Sequence, residues 1–143
     1  MEKLRAIVFN VSTVEGVFRT DRRATIYFEH TEDIIKEVEK YVNEIKKVIP
    51  KNISSINHPM IDIYAMDVNY HTKDFFRYVL EYPGETTFRK WNGDHYEVAE
   101  TKEYYKKGER DKSAQMRDLY KRMRQDAIDI ALNYDRLRYK EVI

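Results

Sequence analysis

Residues 86–99 read TTFRKWNGDHYEVA, two β-prone runs, Thr86–Trp91 and Asp94–Ala99, on either side of Asn92-Gly93. Asn-Gly supplies the positive-φ positions that a type I′ turn requires and is the strongest two-residue hairpin signature. With that turn, Trp91 is expected to face Asp94, Lys90 to face His95, Arg89 to face Tyr96 and Phe88 to face Glu97. Alternation then sets Lys90, His95 and Glu97 on one face and Arg89, Trp91 and Tyr96 on the other.

Upstream, residues 4–29 read as three short strands: Arg5–Ser12, Glu15–Thr20 and an alternating run from Ala24 to Glu29, with a polar turn at Asp21-Arg22-Arg23. Thr31 is placed to cap a helix whose apolar positions Ile35, Val38, Val42, Ile45 and Ile49 repeat every three or four residues, and Pro50 stops it. A loop, Lys51–Pro59, leads to a strand at Met60–Asn69, apolar on both faces as for a strand covered on two sides. Thr72 then caps a short helix through Tyr82, buried by Phe75, Phe76, Val79 and Leu80 and ended by Pro83-Gly84. After the hairpin, a solvated stretch (Glu100–Lys112) precedes a long helix from Ser113 to Tyr139. Strands grouped rather than alternating with helices give an α+β fold in one domain, 1–143. Its first part, 1–112, holds a small antiparallel or mixed sheet with two packed helices and the hairpin; 113–139 is the long helix.

Composition narrows the chemistry. The 143 residues contain no Cys, which removes disulfides, thiolate metal sites and cysteine nucleophiles together. The four glycines are isolated, the four histidines show no zinc-ligand spacing, and no Gly-x-Ser-x-Gly elbow is present. ATPase, dinucleotide-dehydrogenase and serine-hydrolase readings are set aside. No apolar run is long enough to span a membrane, and the N-terminus lacks a signal-peptide pattern, so an intracellular, cytoplasmic protein without a membrane partner is expected.

Charge is close to balanced at +1 but unevenly spread: residues 106–124 hold eight cations against three anions. Arg117, Lys121 and Arg124 fall at i, i+4, i+7 on one helical stripe, with Arg122 beside them. A basic stripe suits phosphate contacts, which give affinity without sequence information. With Lys90 and Trp91 at the hairpin tip, these residues make nucleic acid, and DNA first, the expected partner. The alternative is a solvated face on an Arg/Lys-rich helix. The other face of the helix carries Met116, Tyr120, Met123, Ala127, Ile130, Tyr134 and Leu137 in a 4, 3 alternation. Such a seam packs on a sheet or pairs two helices across a homodimer, so a non-enzymatic assembly protein is the second functional reading.

Carboxylates cluster around the hairpin: Glu81 and Glu85 flank Pro83-Gly84, and Asp62 and Asp67 lie on the preceding strand. Carboxylates that share a Mg²⁺ or Mn²⁺ ion activate water for phosphodiester hydrolysis. In a metal-dependent nuclease, Glu85 and Asp62 would hold the metal, Glu85 and Glu81 would act as metal-binding or base-providing groups, and Arg89 would steady the phosphate. Pro59 and Asp62 followed by Glu100-Thr101-Lys102 resemble the Asp…Glu-x-Lys signature of restriction-endonuclease-like nucleases, whose two pieces occupy neighbouring strands. Tyr104-Tyr105-Lys106-Lys107 resembles the Tyr-x-x-Lys motif of rolling-circle replication initiators, without their His-x-His. In its Lys, Glu, Ile and Tyr content the whole chain resembles small proteins of hyperthermophilic crenarchaea and their viruses, which implies an intracellular protein handling a viral genome.

Overall fold

The structure, a computed structural model, describes residues 4–15, 18–27 and 33–142, with side chains for 4–13, 21–27 and 33–134. β1 (Leu4–Glu15) and β2 (Phe18–Tyr27) form one long antiparallel hairpin in which Glu15 faces Phe18. Asp21, Arg22 and Arg23 are therefore not a turn; they run within β2, opposite Ser12, Val11 and Asn10. Cross-strand partners satisfy their polar groups. Ser12 Oγ donates to Asp21 Oδ1 at 2.8 Å, and Arg23 Nε donates to Asn10 Oδ1 at 3.0 Å. Charge is also what an edge strand carries to discourage pairing with other chains. Phe28 and Glu29, from the expected third strand, and the cap at Thr31 lie outside the described residues.

α1 (Ile34–Lys46) is capped by Asp33, whose carboxylate accepts from the Lys36 N–H at 3.1 Å. Val38, Val42 and Ile45 are buried along it, and Ile49 just beyond, while Ile35 from the expected stripe stays half exposed. β3 (Met60–Asp67) alternates strictly. Ile61, Ile63 and Ala65 are fully buried, whereas Met60, Asp62, Tyr64 and Met66 are half-buried. Its two faces are thus unlike, because helices cover one of them only.

The segment expected as a short helix, 72–82, is instead a strand, β4 (Thr72–Glu81), paired with β3 and with β5 (Glu85–Trp91). Its apolar positions mimic a helical face because a bulge interrupts the alternation. Ile63 pairs with Phe76 but Tyr64 pairs with Asp74, leaving Phe75 as the extra residue. Phe75 then joins the helix-side core, its ring 6.3 Å from Tyr134. Aromatic and β-branched residues with strand neighbours on both sides outweigh the local helical reading.

The hairpin exists, but with a longer loop. β6 (Tyr96–Glu103) pairs with β5 so that Trp91 faces Tyr96, Lys90 faces Glu97 and Arg89 faces Val98. The Asn92 side chain holds the loop, its Oδ1 accepting from the Asp94 and His95 N–H groups at 2.9 Å. The register is shifted by two residues from that expected, and an even shift preserves faces. Arg89, Trp91 and Tyr96 still share one side and Lys90 and Glu97 the other, while His95 moves into the loop. Residues 100–103, expected as solvated coil, prolong this exposed edge strand. A two-stranded ribbon, β7 (Tyr105–Lys106) and β8 (Glu109–Arg110), follows before α2 (Lys112–Val142).

All pairings are antiparallel, and the six-stranded order is β2-β1-β3-β4-β5-β6. β2 and β3 flank β1, and α1 crosses between them. Both helices lie on one face, α1 against β2 and α2 across β1, β3 and β5, around a single core. This is one α+β domain with two helices, not three, among the described residues. The seam of α2 meets its own sheet: Met116, Met123, Ala127, Ile130 and Tyr134 are buried there with Leu119. That side of the helix is occupied within the chain; Leu137 has no described side chain. No helix among the described residues is long and apolar enough to cross a membrane.

Candidate functional site

Among the described residues, three places bring together side chains expected in the site. The first is the sheet face that no described helix covers. There Asp62 accepts two hydrogen bonds from Arg77, at 2.7 and 3.1 Å, and the Arg77 guanidinium lies 4.0 Å above the Tyr96 ring. Trp91 meets Tyr96 edge-on at 5.1 Å. Glu81 and Glu85 face each other in register, and Arg89 lies 3.6 Å from Glu81. These residues do not converge on one point. Asp62 is in row with Arg77 and Arg89, four residues and two strands from Glu85, roughly 16 Å by strand geometry. β4 and β5 also separate Asp62 from Glu100-Thr101-Lys102. Among the described residues no group of three or more His, Asp or Glu side chains gathers as metal ligands would.

The second place is a groove between α2 and the β5–β6 side of the sheet, with two lobes of about 380 and 320 Å³ that share Phe88, Arg122, Asp126 and Asp129. Arg122 bridges it, donating to Glu100 at 2.6 Å while stacking 4.5 Å above Phe88. Beneath, the Tyr78 hydroxyl donates to Asp126. Burial pushes the Asp126 carboxyl above its ordinary range and the Tyr78 hydroxyl well above its own. Lys102, bonded to Asp118 at 3.0 Å, holds that carboxyl below the usual range. Lys90 lines the second lobe. Most charges here are already matched within the chain.

The third place is different. The end of α1, the loop after it and the first turns of α2 enclose a groove of about 440 Å³ lined by Lys46, Lys51, Lys112, Ser113, Met116, Arg117 and Tyr120. Four of these are cations and none is an acid. The α1 stripe that buries Val42 and Ile45 brings Lys46 over the Tyr120 ring at 4.7 Å, and Lys112 Nζ donates to Asn52 Oδ1 at 2.9 Å. Among the described residues, Lys46, Lys51, Lys112 and Arg117 have no carboxylate within ion-pair distance.

The basic stripe expected on α2 therefore divides. Arg117 and Lys121 are exposed and make no ion pair among the described residues, Arg117 lining the third groove and Lys121 the second beside Asp118 and Asp126, whereas Arg122 is bound to Glu100 and Arg124 donates to Glu39 at 2.8 and 3.0 Å. Lys90 and Trp91 sit on opposite faces at the far end of the hairpin and do not join the groove. Lys46 and Lys51 were not legible as partners of Arg117, since only the antiparallel packing of α1 on α2 brings them together. Tyr78 and Asp126, 48 residues apart, carried no signal either. Chemically, the third groove gathers fixed positive charge beside the Ser113 and Tyr120 side chains, an arrangement suited to holding an anion. No protein-family model, curated protein or solved structure matches the chain.

Proposed function

We propose that the protein binds nucleic acid through the phosphate backbone, at the groove between α1 and the start of α2. One observation carries the reading: four cations and no acidic residue line a concave surface, in a chain whose net charge is only +1. A concave groove fits the convex track of a phosphate backbone, and phosphates are the anions that repeat closely enough to meet several such cations at once. Reversing two of the charges (Lys46→Glu with Arg117→Glu) is expected to lower affinity for labelled DNA and RNA at least tenfold at low salt, with circular dichroism unchanged. Retained affinity in that variant would remove the groove from the reading. Tighter binding to anionic phospholipid vesicles than to any oligonucleotide would replace nucleic acid with a membrane surface.

Metal-dependent cleavage is the second reading, favoured by Glu81 and Glu85 standing opposite each other beside Arg89, at the same end of the sheet as the groove. Cleavage with Mg²⁺ or Mn²⁺ that EDTA abolishes and Glu85→Ala removes would establish it. Binding without cleavage would leave the groove alone as the function.

A further inference from the structure

The β7–β8 ribbon does no work in the core. Its pairs are Tyr105 with Arg110 and Lys106 with Glu109, closed by Lys107-Gly108 at φ 53° and 80°. Two consecutive positive φ values are the geometry of a type I′ turn, which makes this as tight a hairpin as a chain can form. The side chains of Tyr105, Lys106, Lys107 and Glu109 are all exposed. A two-stranded ribbon with no apolar face is marginal by itself.

Its base, by contrast, is firmly tied. The Tyr104 N–H donates to the Gly84 carbonyl at 2.9 Å, and the Asp111 N–H to the Tyr104 carbonyl at 2.8 Å. Arg110 Nε donates to Gln115 Oε1 at 2.7 Å. Gln115, fully buried, passes the connection on to the Glu85 carbonyl at 2.9 Å and Thr86 Oγ1 at 3.1 Å. The ribbon is thus an anchored projection with two lysines at its tip.

Its position follows from the sheet order. The ribbon leaves the end of β6, while the bond from Lys112 to Asn52 ties the start of α2 to the loop that precedes β3. Gln115 places the first turns of α2 over the start of β5, between the two. From the β3 side to the β6 side is three strand spacings, about 14 Å. The groove with Lys46 and Lys51 is therefore rooted toward the β3 side of the α2 start, and the ribbon that carries Lys106 and Lys107 toward the β6 side.

We propose that the ribbon is a second phosphate-binding arm and that the partner is a duplex, gripped by the α1–α2 groove on one strand and by Lys106 and Lys107 on the other. This rests on the nucleic-acid reading and narrows it. The strands bordering the major groove of a duplex lie about 12 Å apart, comparable with the roughly 14 Å between the β3 and β6 sides on which the two basic sites are rooted. A single strand presents no second track at fixed spacing and must be ordered to reach both.

The test is fluorescence anisotropy with a labelled 20-base-pair duplex and each of its separate strands, over a salt series, for the full chain and for Lys106→Ala with Lys107→Ala. Neither lysine touches the core, so the variant keeps its fold, and circular dichroism checks this. Two lost phosphate contacts are expected to make the log–log salt slope for the duplex shallower by about 2 while leaving the single-strand slope unchanged. An unchanged duplex slope, or an equal loss on duplex and single strands, would overturn the two-armed grip while leaving nucleic-acid binding in place. A full chain that binds neither duplex nor single strand would overturn the underlying reading itself.

Discussion

Replacing Tyr78 by phenylalanine removes one oxygen from the interior and little else. The ring is 1% exposed, lies edge-on to Phe88 at 5.8 Å, and its hydroxyl donates to a carboxylate that is itself 9% exposed. Where Asp126 is ionised, the lost bond is charge-assisted, and Tyr78→Phe should cost about 1.5–3 kcal/mol; where it is protonated, the bond is neutral and worth about 1 kcal/mol. Burial raises the carboxyl above its ordinary value of 3.8. The folded chain therefore binds that proton more tightly than the unfolded chain. The group's contribution to stability is greatest in acid and is lost as pH rises from about 4 through the raised value. Urea denaturation followed by circular dichroism, for the parent chain and Tyr78→Phe across pH 3.5–9, should show a penalty that grows with pH. Thermal midpoints should fall by about 4 °C for each 1 kcal/mol. Asp126→Asn keeps an acceptor for the hydroxyl and cannot titrate, so the pH-dependent fall should flatten in that variant. A Tyr78→Phe penalty equal at both ends of the range, together with an unaltered pH profile in Asp126→Asn, would refute the buried ionisable pair.

Three further outcomes are expected. In Gly84→Ala the new Cβ meets Arg110 Cγ at 3.0 Å and the Tyr104 carbonyl oxygen at 3.2 Å, so stability should fall by about 1–3 kcal/mol in thermal melts. Met123→Glu with Ile130→Glu places two carboxylates in fully buried positions and should abolish the cooperative unfolding transition; a folded chain with altered mass by light scattering would instead point to a seam between copies. In hydrogen exchange, interior amides of 73–80 should be protected in strand pairing with β3 and β5, Leu80 through its bond to the Pro59 carbonyl.

What the sequence made legible follows how local each signal is. Asn92-Gly93, the α1 periodicity and the seam of α2 each declare themselves within a window of a few turns, and all three elements are present. The β4 segment reads as a helix because a single bulged residue, Phe75, turns an alternating strand into a pattern that also fits a period of 3.6. Asp21-Arg22-Arg23 reads as a turn because its partners Asn10 and Ser12 come from another strand. The candidate groove was half visible. Arg117 and Lys121 belong to one helical stripe, but only Arg117 lines the groove, and whether a cation on that stripe is neutralised depends on Glu39 and Glu100, 85 and 22 residues away from Arg124 and Arg122. Lys46 and Lys51 enter only through the tertiary packing of α1. The ribbon escaped notice because Lys107-Gly108 adopts a turn that Asn-Gly would have announced.

The central claim, phosphate binding by the α1–α2 groove, is tested most directly by the salt dependence of duplex DNA binding by the full chain. Four phosphate contacts predict a log–log slope of about −3.6 or steeper, and roughly a 150-fold loss of affinity between 50 and 200 mM salt. A slope near zero, or no measurable binding at 50 mM, would contradict it.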